Sequence, residues 1–82
     1  MIIPIELQTT LFIFFNKSDV RRISKEKFHS KTDLCRILFF DKDDKKTFEM
    51  IDTKGYYKVL SKVFKLYKKR YLTPSIIEVD EF

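Results

Sequence analysis

The chain has 82 residues, which is enough for a single core, and we expect one domain over residues 1–82. Hydrophobic residues make up 44% of the sequence and nine residues are phenylalanine, which excludes an intrinsically disordered chain. The formal net charge is +5, and the single cysteine excludes an internal disulfide. No basic residue precedes the short apolar run near the N-terminus, so we expect neither a signal peptide nor a membrane span. The expected location is the cytoplasm.

The positive charge is concentrated in residues 53–77, which hold seven basic side chains and no acidic one, whereas the rest of the chain has ten basic and twelve acidic side chains. Such a segment on a slightly acidic body indicates an anionic partner: nucleic acid, an acidic protein or a membrane surface. The chain has no alanine and is rich in lysine, isoleucine and phenylalanine, which is also typical of an AT-rich genome. If the source is a virus or a mobile element, the expected location becomes the host cytoplasm.

Residues 2–15 open the fold and are predicted to form a strand. Apolar and polar side chains alternate in the first half, and the second half, Leu11–Phe15, is apolar on both faces. The β-branched and aromatic content favours a strand that starts near Pro4. The competing interpretation is a helix with one apolar face, formed by Ile3, Leu7, Leu11 and Phe14.

Further strands are predicted in the middle of the chain. Asn16–Asp19 has turn chemistry, and Val20–Phe28 is ambiguous between an exposed strand, which we favour, and a short helix capped by Ser18. Leu34–Phe40 is almost entirely apolar and predicts a buried strand. Thr47–Ile51 predicts another strand, and the polar loop between the two predicts an antiparallel hairpin.

The clearest periodic signal is an amphipathic helix over Tyr56–Leu72, whose apolar residues fall within about 180° of a helical wheel. Asp52 or Thr53 is the expected N-cap, and the Thr-Pro pair at 73–74 is expected to end the helix. Ser75–Asp80 predicts a short last strand. The predicted fold class is therefore α+β: a mostly antiparallel sheet of four to five strands, in the order β-β-β-β-α-β, with one long C-terminal helix packed on it.

One helix is too small to cover the large side chains on both sides of Leu11–Phe15 and Leu34–Phe40. We therefore expect a homodimer formed through the sheet or its edge. The residues on the predicted inward faces form the expected core: Leu11, Ile13, Phe15, Ile37, Phe39, Phe48, Met50, Leu60, Val63, Phe64 and Tyr67.

Catalytic and metal sites are not expected. His29, the only histidine, lies in a predicted loop, and Cys35 lies in an apolar run where a buried, inert thiol is expected. Asp41 and Asp43 have the spacing of the first two ligands of a calcium loop. However, lysines occupy its fifth and sixth positions, and Asp52 stands where glutamate is needed. We expect a non-enzymatic protein without a cofactor.

A row of lysines on the polar side of the predicted helix is the main functional candidate. Lys58, Lys62, Lys65 and Lys69 follow one another at i, i+4, i+7 and i+11, with Lys68 beside them. The segment contains no acid, so the usual i,i+4 ion pairs are absent. Such a row is suited to tracking phosphates. The alternative is a solvated face whose last cations favour the C-terminal helix dipole.

A second basic group precedes the buried strand and comprises Arg21, Arg22, Lys25, Lys27 and Lys31. Phe28, beside these cations, is either a base-stacking aromatic or a core residue. The leading prediction is a small protein that binds single-stranded or non-specific nucleic acid through Lys58, Lys62, Lys65, Lys68, Lys69, Arg21, Arg22 and Phe28.

The alternative prediction is a protein-interaction or self-assembly module, such as an adaptor or inhibitor that docks on one acidic target protein. The position of the two basic groups discriminates between the predictions. One contiguous basic face would favour nucleic acid, whereas opposite faces, each with neighbouring acids, would favour the alternative.

Overall fold

The computed structural model describes residues 2–28, 32–69 and 76–78. Its elements follow in the order α1 (Ile5–Lys17), β1 (Arg22–Lys27), β2 (Leu34–Phe40), β3 (Lys46–Thr53) and α2 (Lys54–Lys68). The α+β class is confirmed. The predicted order β-β-β-β-α-β is wrong, because the first element is a helix, and the described sheet has three strands rather than four to five.

Helix α1 occupies the segment predicted to be the first strand. Thr9 and Thr10 favour strands by propensity, but here their hydroxyls donate to backbone carbonyls one turn earlier, at 3.1 and 2.9 Å. Glu6 in the first turn and Lys17 in the last turn complement the helix dipole. The buried side chains recur at helical spacing and are Gln8, Leu11, Phe12 and Phe15.

The three strands form an antiparallel sheet with β2 in the centre. This confirms the strands predicted within 20–28, 34–40 and 47–51 and the hairpin between the last two. In the hairpin loop, the Asp41 carboxylate accepts hydrogen bonds from the backbone N–H groups of Asp43 and Lys45 at 2.9 and 3.0 Å. Asp44 adopts the left-handed conformation, with a φ of 59°. The acidic residues of this loop therefore shape the turn.

Helix α2 begins directly after β3. The predicted cap at Thr53 is confirmed, because its Oγ1 accepts a hydrogen bond from the Tyr56 N–H at 3.0 Å. The helix ends at Lys68, four residues before the predicted end, and the expected terminator at 73–74 lies outside the described residues. Of the predicted last strand only 76–78 is described, and there Glu78 forms an isolated antiparallel bridge with Ile2.

Both helices cover the same side of the sheet. Phe14 of α1 contacts the rings of Phe39 and Phe48, with centroids 5.3 and 5.6 Å apart. Tyr57 of α2 lies 5.3 Å from the Lys25 ammonium group on β1. Because side chains alternate along a strand, these three sheet residues share one side, which we call the covered face. The other side points away from both helices, and we call it the open face.

Helix α1, which was predicted from the sequence to be a strand, accounts for most of the apolar excess in the sequence. Most of the predicted core is confirmed as buried, and Met50 and Tyr67 are half-buried against it. Ile13 and Phe48 were wrong, since they are 60% and 43% exposed. Ile13 points outward because α1 is helical, and Phe48 lies on an edge strand. The confirmed core residues are Leu11, Phe15, Ile37, Phe39, Leu60, Val63 and Phe64.

Candidate nucleic-acid interface

The predicted lysine row lies on the side of α2 opposite its buried residues. Lys58, Lys62, Lys65 and Lys69 are all exposed, and we call them the lysine stripe. At a rise of 1.5 Å per residue, the stripe extends over about 16 Å. Within residues 2–28, 32–69 and 76–78, no carboxylate oxygen lies within 4.0 Å of any of its ammonium groups. Among the described residues, the stripe therefore presents positive charge to solvent without a carboxylate partner.

The arginines of β1, β2 and the turn before β1 behave differently. Each of them has a carboxylate partner, although all the pairs are exposed and therefore contribute little stability. The pairs are Arg21 with Asp19 at 3.0 Å, Arg22 with Asp44 at 2.9 Å and Arg36 with Glu26 at 3.9 Å. Acidic side chains thus pair with these three arginines, whereas the lysines of α2 have no such partner within the described part of the chain.

A hollow of about 270 Å³ lies beside the stripe. Lys62, Lys65 and Lys69 line it together with Leu66 and Ile77, both of which are half-buried. Three ammonium groups thus surround an apolar floor. A ligand bound here would meet the charges at the rim and hydrocarbon between them.

A larger cleft of about 660 Å³ opens where α2 ends. It brings together Arg21 and Lys68, two of the predicted site residues, and adds Lys42 from the hairpin loop. Two further lining residues contact each other: the Tyr67 hydroxyl donates a hydrogen bond to the Asn16 side-chain oxygen at 3.5 Å. The remaining lining residues are Asp19 and Val20. With three cations and one carboxylate, the cleft continues the basic character of the stripe around the end of the helix.

Two predicted site residues lie elsewhere. The Arg22 guanidinium carbon is 3.8 Å from the centroid of the Phe40 ring, and strand alternation places both residues on the open face. Phe28 is 43% exposed rather than part of the core, and its ring lies 5.8 Å from the Arg36 guanidinium carbon. Arg22 and Phe28 are therefore not brought together with the lysine stripe.

The second basic group is divided between the two sides of the molecule. Arg21 joins the cleft at the end of α2, and Lys25 packs over Tyr57, whereas Arg22 belongs to the open face. Lys31 lies outside the described residues. The basic residues thus form neither a single face nor two fully opposed faces.

Sequence reasoning missed Lys42 and Arg36 as site residues. Lys42 sits in a loop read only as a hairpin turn, and its approach to Lys68 depends on the tertiary fold. Arg36 could have been found from its position, because it is the one charge in an apolar strand and alternation places it opposite Cys35 and Ile37.

The Cys35 side chain is fully buried in the core, as expected. Burial raises the pKa of its thiol, and the nearby Lys25 and Lys54 charges oppose the shift only in part. A thiol with a raised pKa is protonated at neutral pH and is a weak nucleophile. Its chemical role in this fold is that of a small apolar side chain.

No protein-family model, curated protein or solved structure matches this chain. Neither of the described helices is long and apolar enough to cross a membrane. The function is therefore inferred from the geometry and charge of the molecule itself.

Proposed function

We propose that this chain is a small non-enzymatic binding protein that contacts single-stranded or non-specific nucleic acid through helix α2. One observation carries the proposal: the four lysines of the stripe are exposed and lack carboxylate partners within the described residues, whereas the arginines of the sheet are paired. A protein that needed these lysines only for solubility would gain more from mixed charges on the same helix.

The shape of the stripe favours a long polyanion over a small ligand. Its charges extend along about 16 Å of helix surface rather than converging on one point. A flexible phosphate backbone can follow such a row, and each neutralised phosphate releases condensed counterions, which makes binding favourable at low salt. Lys68 and Arg21 extend the path into the cleft at the end of the helix.

The stripe supplies no means of reading sequence. Lysine side chains at phosphates position a protein without distinguishing bases. Phe28, the predicted stacking residue, lies on a different surface together with Arg22. We therefore assign the binding surface to the stripe, Lys68 and Arg21, and we expect little sequence preference.

Fluorescence anisotropy with a labelled single strand of about 20 nucleotides tests the proposal across a range of salt concentrations. Four phosphate contacts give a slope of log K against log salt of about −3, at roughly −0.7 per contact. The double substitution Lys62→Glu and Lys65→Glu is expected to flatten this slope while leaving the fold intact, because both side chains are exposed.

The matched control is Lys27→Glu with Lys45→Glu, which makes the same change in net charge at two exposed lysines outside α2. If the control pair flattens the slope as much as the α2 pair, the effect is one of net charge and the stripe has no special role. If the wild-type protein shows no binding at about 50 mM salt, the nucleic-acid proposal is wrong.

The second candidate function is a protein-interaction or self-assembly module, and the open face favours it. Arginine and aromatic side chains, both enriched at protein interfaces, lie together there. An adaptor or inhibitor that docks on one acidic target protein would contact it through the lysine stripe rather than the open face. In that case Lys62→Glu with Lys65→Glu abolishes binding to the target protein and has no effect on oligonucleotide binding.

A further inference from the structure

The open face carries large apolar side chains that lie outside the core cluster between the sheet and the helices. Leu38 lies in the middle of β2 and is only 7% exposed, yet it is outside the core cluster that joins the sheet to the helices. Ile51 on β3 is 48% exposed, and Phe40 is half-buried on the same face. Large apolar side chains thus form the middle of a surface that points away from both helices.

Charges on this face are balanced, unlike those of α2. Arg22, Arg36 and Lys46 are positive, and strand register places them on the open face with the negative Glu26 and Glu49. Asp44, 2.9 Å from the Arg22 side chain, supplies the third negative charge. A balanced face gives no attraction for a polyanion such as nucleic acid. It is suited to a partner with the same balance of charges.

The strand register gives this face a self-complementary pattern. Ser24, Leu38 and Glu49 form one row across the three strands. On β1, Arg22 lies two residues before this row and Glu26 two residues after it. On β2, Arg36 lies two residues before Leu38 and Phe40 two residues after it.

We propose that the open face binds a second copy of this chain, with a two-fold axis running across the strands through the row of Leu38. This rotation places Arg22 of one protomer opposite Glu26 of its partner, and Arg36 opposite the Phe40 ring. Leu38 meets its own counterpart on the axis. Both open-face charges of β1 therefore meet their opposites, and Arg36 of β2 meets the partner's Phe40 ring in a cation–π contact.

Ordinary sheet packing preserves these pairs. The strands of two aligned sheets cross at about −30°. Residues two positions from the axis lie about 7 Å away from it, so this crossing angle displaces the two members of each pair by only about 3 Å relative to each other. An arginine side chain is long enough to accommodate that shift. Glu49 meets its own copy at the end of the row, and the Lys46 ammonium group, 3.2 Å from its carboxylate, offsets that repulsion. A two-fold axis parallel to the strands would instead place Arg36 against its own copy.

Packing through the face is favoured over pairing through the edge of β1. The exposed edge of β1 has the sequence RISKEK, with four charges in six residues. Charged side chains, lysine in particular, protect sheet edges from pairing with another strand. Association through the apolar middle of the open face avoids these charges on both protomers.

Three short strands give a small interface, about 14 by 23 Å in projection, which is below the size of stable protein pairs and in the range of weak, transient ones. We therefore expect a reversible dimer that dissociates on dilution through the micromolar range. Sedimentation equilibrium of the whole chain between about 10 and 500 µM measures this, and a monomer at every concentration would overturn the proposal.

Charge reversal identifies the face. Arg22→Glu alone and Glu26→Arg alone each place like charges opposite each other twice in the dimer, so each variant is expected to self-associate at least about tenfold more weakly. When the two variants are mixed, the glutamate introduced in one protomer faces the arginine introduced in its partner. The unaltered Glu26 of the first variant then faces the unaltered Arg22 of the second, so both pairs are attractive. The mixture is expected to form a heterodimer that is tighter than either variant's self-association.

Two controls keep the outcome clear. Thermal melts check that both variants are folded, and recovery on mixing cannot come from misfolding. Oligonucleotide affinity should be unchanged in both variants, because the lysine stripe is not altered. If either variant dimerises as strongly as wild type, or if mixing restores nothing, the two-fold axis is not the one proposed.

Discussion

Truncation of Leu60 measures how strongly α2 is fixed to the sheet. Leu60 is 1% exposed and belongs to the core cluster formed by both helices and the centre of the sheet. Replacement by alanine removes buried methyl groups and leaves a cavity, and such changes cost about 3 kcal/mol, within a range of about 2–5. A chain of this length is stable by about 4–12 kcal/mol, so the loss is a large part of the total.

The expected change in melting temperature follows from the size of the domain. At about 4–8 °C per kcal/mol for domains of 60–100 residues, a loss of about 3 kcal/mol lowers the melting temperature by roughly 12–24 °C. Circular dichroism at 222 nm, where helices absorb, follows the transition. Leu66→Ala is the matched control on the same helix, because Leu66 is only half-buried and its loss should have a smaller effect.

The result that would refute this reasoning is specific. If Leu60→Ala melts within about 2 °C of wild type, Leu60 is not in a packed core. If Leu66→Ala has the larger effect, α2 is rotated about its axis relative to the arrangement described here. The lysine stripe would then not face solvent as a row, and the proposed function would lose its main support.

Two further predictions test the rest of the fold. Ile13→Lys should change stability by no more than about 0.5 kcal/mol in a urea titration, because Ile13 is 60% exposed; in a buried strand this change would unfold the chain. Burial raises the pKa values of Cys35 and Tyr56, so the folded state retains both protons more tightly than the unfolded chain. The stability that these two groups contribute should therefore be fully present below about pH 8.5, where unfolded cysteine begins to ionise, and should be lost as the pH rises through the folded values. Cys35→Val should remove the earlier part of that decline.

The N-terminal helix shows why local composition misled the sequence prediction. Residues 2–15 are rich in isoleucine, threonine and phenylalanine, all of which favour strands. The segment is apolar on nearly every side. Its apolar residues therefore show neither the clear period of 2 that indicates a strand nor the clear period of 3.6 that indicates a helix. Its length was the neglected signal, because strands usually span four to eight residues and helices ten or more.

Helix α2 could be predicted because its charged residues are all lysine and most of its apolar residues are large. The lysines alternate with large apolar residues at helical spacing, and this contrast determines which side of the helix faces the core. The apolar residues are Val59, Leu60, Val63 and Phe64. The strands of the hairpin were predictable for a similar reason, with a polar loop between two β-rich runs. Sequence alone could not bring Arg21 and Lys42 to the end of α2, because this contact depends on how the layers pack.

The apolar excess in the sequence was real, but it had two causes. Most of it belongs to α1, whose inner side fills the core that one helix could not complete. What remains is Leu38 and its neighbours on the open face. The apolar surface left for a dimer is thus centred on one strand, and the strand register assigns specific partner residues that composition could not provide.

The lysine stripe and the open face lie on opposite layers of the molecule, and this arrangement determines how a dimer would bind nucleic acid. If two protomers pack through their open faces, the helices form the outer layers and each lysine stripe points away from the other. The dimer cannot add its stripes into one longer site, so the salt dependence per stripe should match that of the monomer. It can instead hold two separate strands at once. The two-fold axis therefore favours bridging of nucleic acid over tighter binding to a single strand, and light scattering at equal protein and oligonucleotide concentrations would detect the bridged species.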